Sequence, residues 1–191
     1  MSIRSVRIDS GHLAAPIIET VVTTINPDGS VNCGAMGVEW GEQRIVVKPF
    51  RGTRTLRNLR AGGAAVVNVT DDILLFSQAA LGDPHPPTRP AGSVEGAVLE
   101  DACSWREVRV EAIEEGERAS VATRVVGAGR GRDFLGFNRA SHAVLEASIL
   151  ASRVRWLGDV REELERLQVL VDKTGGPREH EAMDYVRSVV A

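Results

Sequence analysis

The sequence predicts an α+β protein in which an antiparallel β region comes first and a helical unit follows. Three observations carry that expectation. β-Branched and alternating segments, punctuated by glycine and proline, fill the first two thirds of the chain. Asp28-Gly29 stands between two of them, a hairpin signal because glycine supplies the positive φ of a tight turn. From Asn138 onward apolar residues recur at helical spacing.

Taken in order, Ile3 to Ile8 alternates apolar and polar residues as a short edge strand would. Ile17 to Ile25 is a β-branched strand, Asn26 to Ser30 its turn, and Val31 to Trp40 the return strand, interrupted by Gly34 and Gly37. Arg44 to Lys48 is a third strand. Thr53 to Arg60 reads as a short helix with Thr53 as N-cap and Gly62-Gly63 as its stop. Ala64 to Val69 is a buried strand, and Asp71-Asp72 opens an apolar helix from Ile73 to Leu81. Gly82 to Gly92, with four prolines, reads as a loop.

Val94 to Leu99, Val108 to Ile113 and Arg118 to Val126 are three further strands, the last two joined at Glu115-Gly116-Glu117. The glycine-rich Gly127 to Arg132 reads as a linker without the ending of a phosphate loop. Three helices follow: Arg139 to Leu157 with Asn138 as N-cap, Asp159 to Lys173, and Arg178 to Val190. The change of character divides the chain into a β domain, 1–132, and a helical subdomain, 133–191.

At 191 residues with a net charge of −3, the chain lacks the strongly basic balance of nucleic-acid binders. No run of 18 apolar residues is present, and the basic N-terminus lacks the apolar stretch of a signal peptide, so no membrane partner and a cytoplasmic location are expected. Cys33 and Cys103 lie far apart without a metal or redox spacing and read as buried thiols. Only Lys48 and Lys173 are lysines in a set of 23 basic residues, so Lys48 marks a position suited to a compact ammonium.

Two segments carry candidate chemistry. Lys48, Arg51, Thr53, Arg54 and Thr55 place cations, hydroxyls and the N–H groups of a helix start within eight residues, the donor set a phosphate needs. The alternative is a solvated turn with an ordinary threonine cap. Asn32 to Gly37 is a strand of small residues against which a flat ring can lie, its polar edge facing backbone N–H groups. The alternative there is a bulged strand, with Met36 a packing residue. Together the segments suggest a planar ring bearing a phosphate, with flavin mononucleotide, FMN, as the leading candidate.

The runs Glu19 to Thr24, Asp28-Gly29, Asn32 to Val38, Lys48 to Thr53 with Thr55, Asn58-Leu59 and Val67 to Asp72 resemble an uncharacterised family related to the FMN-binding, flavin reductase-like split barrels. Phe137 to Ala140, His142 to Val144 and Glu146-Ala147 are similar to that family's helical signature. The resemblance covers most of the chain outside the proline-rich loop and the last helix. It implies a six-stranded antiparallel split β-barrel, a C-terminal helical unit, and a homodimer with FMN near the subunit interface.

Carried onto this chain, the resemblance puts the phosphate at Arg51, Thr53, Arg54 and Thr55. The ring lies along Asn32, Ala35, Met36 and Gly37, near Lys48 and Phe50, with Asn58 on the adjoining helix. Arg139 is a candidate to reach the phosphate of its own or a partner subunit, against a role in capping and surface charge. Ala35 stands where the family often has proline. The expected function is hydride transfer through FMN to or from a small molecule, with NAD(P)H or a reduced pterin as the second reactant. The alternatives are a non-catalytic FMN carrier and a binder of another phosphorylated ring or pterin. No catalytic residue is named. His142 and Glu146, at i and i+4, read as a hydrogen-bonded or surface pair and not as metal ligands, and His85 as an exposed loop residue.

Overall fold

The computed structural model describes residues 15–190. The Ile3 to Ile8 strand expected from the sequence lies outside the described residues. β1 (Ile17–Ile25) and β2 (Val31–Trp40) form a hairpin running from Ile17 opposite Glu39 to Ile25 opposite Val31. Its turn is fixed by Asp28, whose carboxylate accepts from the Ser30 N–H at 2.9 Å and hydroxyl at 2.6 Å, and by Gly29 at φ 84°. β3 (Arg44–Val47), helix α1 (Arg54–Gly62) and β4 (Ala64–Val69) follow, then helix α2 (Ile73–Leu81). A short hairpin, β5 (Thr88–Pro90) with β6 (Ala97–Leu99), precedes the long strands β7 (Ser104–Glu114) and β8 (Ser120–Arg130). Six strands close one antiparallel barrel in the order β1-β2-β3-β8-β7-β4, and register shifts at Glu107/Val108 and Val110/Ala112 help it curve.

The period of two along each strand sorts side chains into two cores. Val22, Val38, Ile45, Val67, Val108 and Val121 fill the barrel, and α1 closes over them with Leu56 and Leu59. Both leucines are fully buried; each contributes about 1.5–3 kcal/mol by leaving water. Val21 and Cys33, on the outer face, pack instead into a helical core with α2. Around α2 lie α3 (Arg139–Ser152), α5 (Arg161–Thr174) and α6 (Pro177–Val190), linked by one turn, α4 (Val154–Leu157). That core includes Phe76, Val144, Leu164 and Met183, so the helices rest on the outer wall of β1 and β2.

Buried polar groups tie these layers together. Asn68 donates to the Val21 carbonyl at 3.0 Å and accepts from the Leu99 N–H at 3.1 Å, joining β1, β4 and the short hairpin. Asn32 donates to Thr24 and Thr55, each at 3.1 Å, and Asn58 donates to Thr24 at 3.0 Å and Asn26 at 2.8 Å. Such a satisfied network fixes α1 against the β1–β2 hairpin, because an unpaired member would cost more than its bond contributes.

Several boundaries differ from the sequence reading. Gly127 to Arg130 is not linker but the end of β8, where Gly127 faces Ser93 and Gly129 lies under the Trp105 ring. The proline-rich segment contains β5, whose partner β6 is only the end of the expected Val94 to Leu99 strand. The helix expected to run to Leu157 breaks at Arg153, one residue after Ser152 turns its hydroxyl back to the Ile149 carbonyl at 2.8 Å. Asp159, expected to cap the second helix, does accept from the Arg161 N–H at 3.0 Å but stands one residue before the cap position, which Val160 occupies.

Candidate functional site

A cleft of about 470 Å³ lies between the outer wall of the barrel and the helical unit, within the range of small-molecule sites, about 300–1,000 Å³. One wall is β2, from Asn32 to Gly37. The second is the connection from Lys48 through Phe50 to Thr53, with Arg54 and Thr55 beginning α1. The third comes from the helices: Phe76, Ala79 and Ala80 of α2, Ser148 and Ile149 of α3, and Trp156 of α4.

The connection holds its shape because it extends the barrel ladder. Phe50 bridges Arg118, the Arg51 N–H donates to the Glu117 carbonyl at 2.9 Å, and the Ala119 N–H donates to the Pro49 carbonyl at 3.0 Å. Thr53 then caps α1: its Oγ1 accepts from the Leu56 N–H at 3.3 Å and donates to the Phe50 carbonyl at 2.8 Å. No acidic side chain stands in the first turn of α1, so the positive end of its dipole is not offset from within the helix. Arg54 lies there in an ion pair with Asp83 at 2.6 Å.

Nine of the twelve residues named from the sequence therefore line one cleft: Asn32, Ala35, Met36 and Gly37 on β2, and Lys48, Phe50, Thr53, Arg54 and Thr55 on the connection. Three do not. Arg51 sits on the exposed turn beside Gly52, whose φ of 85° carries the chain round and points the residue before it outward. Asn58 is buried and committed to Thr24 and Asn26. Arg139 begins α3, about 15 Å along the helix from Ile149 at 1.5 Å per residue.

The glycines of β2 also have a cause within the chain. A Cβ on Gly34 would meet Thr55 Oγ1 at 2.8 Å, and one on Gly37 would meet Ile17 Cγ2 at 2.6 Å and Glu19 Oε1 at 2.8 Å. Asn32 and Thr55 bond to each other, so their side chains support the cleft wall as well as line it.

Among the cleft residues that the sequence reading did not name, Glu19, Arg118, Arg153 and Trp156 bring charge or a large ring. Glu19 had a signal, as the one charged residue within Ile17–Ile25. Burial raises its pKa above the ordinary carboxylate value and Glu146 adds to that, while Arg118 and Arg153 pull it back. Arg118 lies over the Phe50 ring at 5.0 Å and donates to the Lys48 carbonyl at 3.1 Å. Phe50 and Trp156 stack with centroids 6.3 Å apart. Lys48 is paired with Glu39. On β2 itself, burial and then the charge of Asp83 push the Cys33 thiol up to about 11.

Elsewhere, His142 lies against the Phe137 ring with centroids 5.8 Å apart, and His85 lines a separate groove between α2, α6 and the proline-rich loop. Among the described residues no three His, Cys, Asp or Glu side chains gather as a metal site would require. No helix among them is long and apolar enough to cross a membrane.

The model described as "Protein of unknown function (DUF447) N-terminal domain" matches residues 18–131, and that described as "Protein of unknown function (DUF447)" matches residues 138–188. Among solved structures, an FMN-bound protein of Methanosarcina mazei, itself assigned to DUF447, superposes with a TM-score of 0.78 at 24% identity, over 92% of this chain and 95% of that one. Component B of a Bacillus cereus nitrilotriacetate monooxygenase gives a TM-score of 0.52 at 15% identity, over 69% and 84% of the two chains. The flavin reductase of a Pseudomonas putida styrene monooxygenase gives 0.51 at 20% identity, over 60% and 79%. These likenesses show a shared fold, the flavin reductase-like split barrel.

Proposed function

Because the chain belongs to the DUF447 family, both of whose parts it carries in order, we propose that it is an FMN-binding flavoprotein whose cofactor occupies the cleft between β2, the start of α1 and the helical unit. One observation carries the reading. The small-residue strand and the hydroxyl- and cation-bearing helix start, 16 residues apart from Gly37 to Thr53 in the chain, line a single cavity of suitable size. The FMN bound by the Methanosarcina mazei protein of the same fold and family supports the choice of guest.

In this reading Thr53, Thr55, Arg54 and the first N–H groups of α1 hold the phosphate, where charge-assisted bonds are strongest. The backbone of Ala35 to Gly37 faces the ring's polar edge, and Phe76 and Ile149 keep water from its apolar side. Lys48, held by Glu39, adds positive charge where negative charge would build on reduction. Bound FMN supplies hydride acceptance and donation at N5, and the rim between Phe50 and Trp156 gives a second molecule access. This access favours an oxidoreductase acting on a small molecule over a sealed carrier. Nicotinamide nucleotides and reduced pterins are the first reactants to assay.

The active form in this reading is a homodimer. Phe134, Leu135 and Phe137 are 50%, 90% and 91% exposed, while Asp71 fixes their loop by accepting from the Leu135 N–H at 3.0 Å and pairing with Arg132. A fixed display of apolar side chains suits a protein partner.

The test is direct. Purified protein is denatured, and any released chromophore is identified by mass and absorbance. Stripped protein is then titrated with FMN and with riboflavin. Copurified or tightly rebound FMN supports the reading. A colourless protein that leaves FMN fluorescence unchanged overturns it. Reduction of the bound flavin by an added donor then supports the enzymatic half, and failure with every donor class would leave a carrier.

A further inference from the structure

The rim of the cleft holds charges and rings that the cofactor reading does not use. Arg54 and Lys48 close ion pairs with Asp83 and Glu39. Glu19, Arg118 and Arg153 also line the cleft, yet among the described residues none of them closes an ion pair within 4.0 Å. Both arginines, and Glu146 with the opposite sign, act electrostatically on the Glu19 carboxylate, so the three cleft-lining charges lie near one another. Within the cleft lining two unpaired cations thus accompany one carboxylate, with Glu146 acting on Glu19 from outside the lining. Beside it stand Phe50 and Trp156, stacked on each other and 43% and 71% exposed. Arg118 is fixed in place by the Phe50 ring and by its bond to the Lys48 carbonyl.

An aromatic pair left open to solvent and two guanidiniums beside it that close no ion pair ask for one kind of guest. We infer that the rim formed by Phe50, Trp156, Arg118 and Arg153 is the subsite for the molecule that takes hydride from the flavin after a donor has reduced it, distinct from that donor, and that it selects planar organic monoanions. The ring of such a molecule covers apolar surface on the two aromatic side chains, and its anionic group meets the two guanidiniums. Glu19 limits the charge the rim accepts, since a second negative group would approach an existing carboxylate. The inference rests on the cofactor reading for the occupant of the inner cleft, and on the rim's own residues for its selectivity.

The test compares two planar probes that differ in charge, p-hydroxybenzoate and the neutral p-hydroxybenzamide, titrated against FMN-loaded protein while the flavin absorption bands are followed. The anion is expected to bind at least tenfold more tightly. In Arg118→Gln with Arg153→Gln that preference falls to within twofold, while the preference for FMN over riboflavin persists. Arg153→Gln alone, which leaves the Lys48 connection intact, lowers the anion preference several-fold and guards against a variant that merely loosens the turn. Equal affinity for the two probes in the parent protein overturns the inference. So does loss of the FMN-over-riboflavin preference in the double variant, which would assign the arginines to the phosphate. If the parent takes up no FMN, the cofactor reading falls. The same probes titrated calorimetrically against the flavin-free protein then decide the rim separately: a retained anion preference supports it, and none overturns it.

Discussion

The Thr55 hydroxyl stands 2.8 Å from the point that a Cβ on Gly34 would occupy. The first turn of α1 and the floor strand of the cleft are thus in direct contact, held there by the bond from Asn32 to Thr55 at 3.1 Å. Gly34→Ala is expected to push the two apart and cost about 1–3 kcal/mol, the usual range for overpacking a closed contact. Urea unfolding measures the loss. FMN titration should show weakened binding as well, and Thr55→Ser in the same background should recover little, because its hydroxyl remains.

Thr53 and Arg54 present the phosphate donors in the proposed site, whereas Arg51 points outward. Thr53→Ala with Arg54→Ala should weaken FMN at least tenfold, since hydrogen bonds to charged groups contribute about 1.5–3 kcal/mol each. Arg51→Ala should leave FMN affinity within twofold. Riboflavin is the control: its affinity should be little affected in both variants, because it lacks the group those donors meet. Some loss of stability accompanies Thr53→Ala, about 0.5–2 kcal/mol for an N-cap. The Arg54–Asp83 pair, exposed on both sides, adds little to that.

Glu19 gives a pH signature. Its folded pKa is raised above the ordinary value of 4.5, first by burial and then by Glu146, against the opposing pull of Arg118 and Arg153. A carboxyl of this kind binds its proton more tightly folded than unfolded, so its favourable contribution is complete below 4.5 and is lost as pH rises through the raised value. Glu19→Gln is therefore expected to gain stability relative to the parent as pH climbs from 4 to 7, with the difference smallest at the acid end. Urea midpoints of both proteins across that window check the sign.

Gly129 lies beneath Trp105 so closely that a Cβ would fall 2.0 Å from the ring's Cζ2. Gly129→Ala must move the indole, which also carries Arg89 over its face at 4.4 Å and donates to Glu107 at 3.4 Å. A loss near the upper end of the overpacking range, about 3 kcal/mol, is expected, with a change in near-ultraviolet circular dichroism. Trp105→Leu in the same chain should recover part of the loss.

Local signals carried the β1–β2 hairpin and the caps of α1, because Asp28-Gly29 and Thr53 act on neighbours within four residues. The sequence expectation that β2 and the start of α1 converge matches the shared cleft they line, although Gly34 and Gly37 also have causes within the chain. Distance in the chain hid the rest. Gly127 to Gly131 has the composition of a linker, and only the fold brings Trp105 and Ala102 across it. Asn58 and Asn32 are polar whether they meet a guest or one another, so residue type could not separate the two roles. Arg139 directly follows a recognisable N-cap but stands at the wrong end of a helix of 14 residues. Arg118, Arg153 and Trp156 carried no signal in a chain whose cations are nearly all arginine.

Cys33 lies in the cleft floor facing the helical unit, 4% exposed, with its thiol pushed up to about 11. At pH 8 only about one molecule in a thousand would carry the reactive thiolate there, so alkylation must wait for α2 and α3 to part from the barrel wall. The sulfur is thus a native clock for that parting. Mass-mapped labelling at Cys33, timed with and without FMN, would count how often the helices lift and whether the guest holds them down.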